Sequence, residues 1–271
     1  FTLSLLDFVE LELILPSIQE QKKIASILAS VDKVIETNLK KINKLHDLEK
    51  ATMKELLTKG IGHTEFKDSK LGKIPKSWEV KKIGELGDIV TGSTPNTKNR
   101  EFYGGNFMFV SPADISNGMF ISKTVKKLSI AGLNKIRKIP SMSVMVVCIG
   151  STIGKVSVST EECATNQQIN TIIPKKNDVF FLYFAMKWMA HLIKKEAGTQ
   201  AVPMINKTEF SKLHISVPPI NEQKRIGKIL YSIYAGIEKL NYKIAQTQSL
   251  KKSLMHDLLS GKVRVEWNQN V

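Results

Sequence analysis

The sequence predicts an α+β fold: one globular α/β domain and two long helices that pair as an antiparallel coiled coil. Three observations carry that expectation. One segment occurs twice, 202 residues apart, running without a gap over Pro16–Leu57 and Pro218–Leu259, with 18 of 42 positions identical. Each copy spaces its apolar residues alternately by three and four. The chain between the copies has a different texture, in which short β-rich runs alternate with turn signals. A duplication of so long a period means that two equivalent elements bracket whatever lies between them.

The helices come first. Each copy opens on proline, which suits a helix start and cannot continue a helix from before. The second copy places Ile226, Leu230, Ile233, Ile237, Leu240, Ile244, Thr247, Leu254 and Leu258 on one seam, skipping Lys251. The first places Leu28, Val31, Ile35, Ile42, Leu45, Thr52 and Leu56 in the same phase, with Asn38 and Glu49 interrupting. Such a heptad seam packs two helices along their length. Lys59-Gly60 and Ser260-Gly261 supply C-terminal cap residues. A helix of this length reaches about 60 Å, too long to bury its stripe in a compact core. Two such stripes can bury each other, and the pair then also serves as a spacer of fixed length.

The middle segment reads as a mixed domain. Ile89–Thr91, Phe107–Val110, Val144–Ile149, Val156–Val158 and Ile169–Ile173 are strand candidates. Gly92–Asn96, Gly104–Asn106, Asn117-Gly118 and Gly150-Ser151 punctuate them. A helix is predicted over Val179–Glu196, with Phe180, Phe184, Lys187, Trp188 and His191 at helical spacing.

Charge points to a polyanionic partner. The net charge is +15, and residues 61–212 hold 22 basic against 12 acidic side chains. That is the electrostatic footprint expected of a nucleic-acid binder, although an ordinary basic protein also fits. The chain lacks the apolar run of roughly eighteen residues that a membrane span needs. Phe1–Leu6 is apolar but lacks the basic start of a signal peptide, and no methionine opens the sequence. The chain therefore reads as beginning inside a domain. Cys148 and Cys163 fit buried thiols in a reducing, cytoplasmic compartment. The five histidines show no ligand spacing, so no metal site is expected.

Motifs for catalysis are weak. Gly150-Ser151-Thr152-Ile153-Gly154-Lys155-Val156 echoes a phosphate loop, but it is one residue short, and valine stands where Ser or Thr must hold magnesium. Val217–Ile220 only faintly suggests an amino-methyltransferase loop, without its polar and aromatic flanks. Glu161-Glu162 reads as a solvated turn. What remains is a set of polar loops. Ser93, Thr94, Asn96, Lys98, Asn99, Arg100 and Tyr103 lie in one, Ser111–Asn117 in a second and Asn166, Gln167 and Gln168 in a third. Thr199, Gln200 and Lys207 lie on the return path to the second helix. Asn and Gln pair bidentately with adenine, Arg and Lys with guanine, and hydroxyls with phosphate. Singly such residues form turns or caps; as a set in a basic domain they suggest base readout.

Taken together, these segments resemble the specificity (S) subunits of Type I restriction–modification enzymes. The resemblance rests on Pro-x-Ile-x-Glu-Gln-Lys-Lys/Arg-Ile at Pro16–Ile24 and Pro218–Ile226, on Gly92–Pro95, Gly150–Lys155, Thr165–Gln168 and Ile205–Phe210, in that family's order and over essentially the whole chain. It implies a non-catalytic, sequence-specific DNA-binding subunit without cofactors. S-adenosylmethionine, ATP and magnesium would belong to modification methyltransferase and restriction subunits. The family alternates two target recognition domains with two conserved helices, which hold the domains apart and dock the methyltransferase subunits. The quoted loops would then face double-stranded DNA, adding Ser151, Thr152 and Lys155 to the site.

One departure stands out. The repeat register extends backward, matching Phe8 to Phe210 and Leu11 to Leu213. Residues 1–15 thus read as the remnant of a first recognition domain, 16–61 as the first long helix, 62–217 as the target recognition domain and 218–271 as the second helix and tail. Reading a bipartite site would take a second copy or another specificity polypeptide; otherwise the chain reads one half-site. A helical adaptor without DNA specificity is the competing reading.

Overall fold

A computed structural model describes residues 15–116, 118–198 and 202–265. Its described residues divide into two compact units, 15–48 with 233–265 and those within 49–232, and the boundary cuts both long helices. Those helices are α1 (Ile18–Thr58) and α5 (Ile220–Leu259).

In the first unit α1 and α5 form the expected pair. Ile42, Ile237 and Ile244 are buried, with Ile35, Leu45, Ile233 and Leu240 packed around them. A Cβ on Gly236 would lie 3.7 Å from Leu45. Lys251 meets Asp32 at 2.6 Å, and Arg264 meets Glu20 at 2.7 Å. Contacts descend along α1 as they ascend along α5, so the pair is antiparallel. Asn38 sits buried in the seam, where the second copy has Leu240. Its Nδ2 finds no hydrogen-bond partner.

The second unit is the mixed domain with the adjoining helix ends. Its central sheet orders five strands as β4 (Gly87–Thr91), β11 (Ile169–Pro174), β8 (Val144–Val147), β9 (Val156–Ser159) and β6 (Phe120–Ile121). All neighbours are antiparallel except β6 with β9. A three-stranded sheet sets β5 (Tyr103–Val110) between β10 (Ala164–Thr165) and β7 (Lys126–Leu128). Met108, Val110, Ile115, Ile121, Ile139, Met145, Val147, Cys163 and Ile169 form one core cluster. Every predicted strand run has its strand, for the reason expected: β-branched residues fill a surface buried on the core. The sequence reading missed β1 (Phe66–Ser69), β2 (Gly72–Pro75), β3 (Glu79–Lys82), β6, β7, β10 and β12 (His214–Val217), each of four residues or fewer and too short to show a period.

The predicted helix is α3 (Val179–Glu196), started by Asp178, whose carboxylate accepts from the Phe181 amide at 2.8 Å. It buries Phe181 to Met186, Met189 and Ile193, while Phe180 and Trp188 are half-buried. Short α2 spans Ile130–Leu133. Short α4 (Lys207–Lys212) begins with a reciprocal cap between Asn206 and Glu209.

Within this unit Glu222 is a hub at the start of α5. Its carboxylate accepts from the Ile61 amide at 3.0 Å and from Trp78 Nε1 at 3.0 Å, and pairs with His63 Nε2 at 2.8 Å. Trp78 is fully buried. Glu49, buried on α1, pairs with Lys187 of α3 at 2.7 Å.

Candidate nucleic-acid interface

Strand register gathers the polar loops. Thr91 pairs with Asn170, Ile169 with Val147, and Thr165 with Val110. The loops that leave β4, β8, β10 and β5 therefore emerge at one end of the domain. Hydrogen bonds tie them together. The Ser93 amide donates to Thr165 O at 2.9 Å, the Asn166 amide to Val110 O at 3.0 Å, and the Cys148 amide to Gln168 O at 2.8 Å. Gly92 makes this approach possible, since a Cβ there would lie 2.1 Å from Asn166 O.

The side chains divide into those that shape the loops and those that face outward. Thr94 Oγ1 donates to Gln167 Oε1 at 2.8 Å. Asn166 Nδ2 donates to Gln168 Oε1 at 2.9 Å, and Asn166 Oδ1 accepts from the Gln168 amide. Gln167 is the exposed member of the trio. Ser151, Thr152, Lys155 and Gln168 line a shallow hollow of about 450 Å³ with Ser111 and Pro112. Ser151 is exposed, but Lys155 turns inward and donates to Ile115 O at 3.3 Å. Asp114 folds the neighbouring loop by accepting from Ser111 and from the Val125 amide.

The first loop continues away from the amide trio. Asn96 Oδ1 accepts from the Lys98 amide, and the Tyr103 hydroxyl donates to Pro95 O at 2.8 Å. Burial raises the phenol's pKa above its ordinary value. Lys98 and Arg100 are exposed on this stretch, and no described ion pair engages either. No described contact brings them to Gln167. Lys207, also exposed, opens α4 two residues beyond Ile205, whose amide donates to Cys148 O at 2.9 Å. Thr199 and Gln200 lie outside the described residues.

Arg137 escaped the sequence reading. Its exposed guanidinium donates to Thr91 O at 2.5 Å, beside Gly92 and Ser93. The nearby signal was only the basic run Lys135, Arg137 and Lys138, with no motif around it. Cys148 and Cys163 are buried, and burial pushes both thiols up to about 12. They serve as apolar core residues. Among the described residues no helix is long and apolar enough to cross a membrane.

A sheet end that presents amides and hydroxyls, in a domain that also carries exposed cations and is joined to a pair of long helices, is the build of a DNA specificity domain. The chain belongs to that family: residues 2–47 and 75–247 match the Type I restriction modification DNA specificity domain. It is 32% identical over 274 residues to the Type I restriction enzyme MjaVIII specificity subunit of Methanocaldococcus jannaschii, covering 96% of this chain and 64% of the relative. It is 34% identical over 196 residues to the HindI specificity subunit of Haemophilus influenzae, covering 70% of this chain and 42% of that one. The chain thus spans less than two thirds of either relative. The fold is shared with the HsdS subunit from Thermoanaerobacter tengcongensis, with a TM-score of 0.59 and 18% identity, covering 92% of this chain and 60% of that one. It is also shared with the S subunit from M. genitalium, with a TM-score of 0.62 and 14% identity, covering 93% and 62%.

Proposed function

We propose that the chain is the DNA-reading part of a Type I restriction–modification complex, in which residues 62–217 form a target recognition domain that reads one half of a bipartite target. The observation that carries this reading is the convergence of four polar loops at one end of a basic domain. In this reading Gln167 pairs with a base edge, and Ser93, Ser151 and Arg137 bind phosphate or sugar. Lys98, Arg100 and Lys207 supply charge to the backbone. Asn166, Gln168, Thr94 and Lys155 act by holding the loops.

The chain itself carries out no chemistry in this reading. S-adenosylmethionine, ATP and magnesium belong to the methyltransferase and restriction subunits that the helices dock. A second recognition domain, from another copy or another specificity polypeptide, reads the other half-site. The test is sequence-dependent retention of duplex DNA at moderate salt by the chain mixed with cognate methyltransferase subunits. Alanine at Lys98, Arg100 and Lys207 together is expected to weaken all sequences alike and reduce the salt slope by up to about three. Unchanged affinity would instead favour a helical adaptor.

A further inference from the structure

The duplicated element holds its own start in the same way in both copies. Gln21 Nε2 donates to Pro16 O at 2.9 Å, and Gln223 Nε2 donates to Pro218 O at 3.0 Å. Beyond that the copies part. Gln223 is buried, accepts from the Asp178 amide at 3.0 Å and donates to Asn177 Oδ1 at 3.1 Å. One turn on, Gly227 lies so close to this loop that a Cβ would stand 2.5 Å from Asp178 Oδ1 and 3.0 Å from the Phe181 amide nitrogen. Tyr231 then stacks on Phe180 at 4.7 Å and meets Phe120 edge-on at 6.3 Å.

The matching face of α1 is Leu15, Ile18, Gln21, Ala25 and Ala29. All five are exposed, Leu15 at 78% and Ile18 at 70%, whereas Val217, the mate of Leu15, is 4% exposed. Ala25 carries the methyl that Gly227 must lack, and Ala29 lacks the ring that Tyr231 supplies.

We propose that positions 25/227 and 29/231 decide which recognition domain each long helix carries. The first turns of α1 are then an interaction surface for a domain of the same build as residues 62–217, but not for a copy of it. This rests on reading 62–217 as a recognition domain. The shared Pro-x-Ile-x-Glu-Gln element is the general part of the seat, because Gln223 and Glu222 each accept from a backbone amide, those of Asp178 and Ile61. The methyl of Ala25 excludes a loop shaped like Asn177–Phe181. The small Ala29 leaves aromatic counterparts of Phe120 and Phe180 without a stacking partner. The occupant of α1 is accordingly a different recognition domain, whose loop stands back by a methyl group and whose contact at the second position is self-sufficient.

Hydrogen exchange on the full chain tests the first half. Gly227→Ala with Tyr231→Ala is expected to speed exchange at the Asp178 and Phe181 amides by at least about tenfold, with amides of the five-stranded sheet still protected. Lys228→Ser, which copies the neighbouring exposed difference at Ser26, is expected to leave them unchanged. Retained protection in the double variant, or equal loss in Lys228→Ser, overturns the proposal. Crosslinking tests the second half and does not depend on that exchange. Chains with Gln21→Cys, Ala25→Gly and Ala29→Tyr are mixed with chains carrying Asn177→Cys, Gly227→Ala and Tyr231→Ala. An interchain disulfide is expected, and none when Ala25 and Ala29 are kept. Equal crosslinking in both mixtures, or in neither, overturns the selection. DNA retention by the unaltered chain is measured apart, so its failure would remove the recognition reading and leave these results standing.

Discussion

Glu20 and Glu222 occupy the same place in the two copies of one sequence, yet they hold different things. Glu222 gathers a backbone amide, an imidazole and an indole N–H around a carboxylate that is 12% exposed. Glu20 holds the guanidinium of Arg264 in a two-point bond, and accepts from the Val265 amide at 3.3 Å. Each acid receives chain just beyond the far end of the other helix. One bond set is enclosed by the domain, and the other uses an arginine side chain that is 69% exposed. Both carboxylates are shielded, Glu20 at 8% and Glu222 at 12% exposure, so the same residue differs in what it holds: a buried indole and a backbone amide make Glu222 an anchor, and an exposed guanidinium makes Glu20 a latch.

The largest effect expected is at the anchor. Glu222→Ala leaves the Trp78 indole and the Ile61 amide without their acceptor, and Trp78 is fully buried. The expected loss is about 3–5 kcal/mol in urea denaturation, since each unsatisfied buried donor costs about 1–3 kcal/mol. A loss as small as that of Glu20→Ala would abolish the distinction between the two acids. The motif was plain in the sequence, but its role was not. The Glu222 partners lie 144 to 161 residues away, and no local pattern encodes such pairings.

Next in size is the site itself. Gln167→Ala is expected to cost about 1–3 kcal/mol of discrimination between preferred and altered DNA while leaving weak, sequence-independent binding in place. Asn166→Ala, whose amide is spent on Gln168, is expected to lower stability as well as preference. Competition binding with single-base-altered duplexes separates them. The loops were legible as polar insertions between strand candidates. Which residue of each loop faces outward was not, because Asn166, Gln167 and Gln168 look alike in sequence and differ only in the hydrogen bonds the fold assigns. Arg137 went unnoticed for a related reason: Thr91, its partner, is 46 residues away.

The helix pair lies at the other extreme of legibility. A period of three and four depends on nothing but local geometry, so the seam read from the sequence is the one that Ile42, Ile237 and Ile244 bury. Strands such as β3 and β12 offered no such period over four residues each. Asn38 is the flaw the seam retains. Asn38→Leu, which copies Leu240 of the second helix, is expected to add about 1 kcal/mol of stability by removing an unpaired buried amide. Destabilisation would mean that Asn38 has a role the second copy lacks.

The smallest expected effect belongs to the Glu20 latch, and pH isolates it. The hydrogen bond from Arg264 holds the Glu20 carboxyl below its ordinary value, outweighing the opposing effect of burial. A carboxyl with a depressed folded value binds its proton less readily in the folded chain than in the unfolded one. Its contribution is therefore fully present above the ordinary carboxylate value and is lost as pH falls through the depressed one. Melting followed by circular dichroism should show that acid-side decline in the unaltered chain and a flatter one in Glu20→Gln. Arg264→Ala should match Glu20→Gln, and raising salt should narrow the gap to the unaltered chain, because Arg264 is exposed. Glu222→Gln offers the contrast: its cost should persist at high salt, where bonds shielded from solvent are little screened. If salt narrowed both gaps equally, the two sets of partners would be screened alike, and the difference drawn between anchor and latch would not stand.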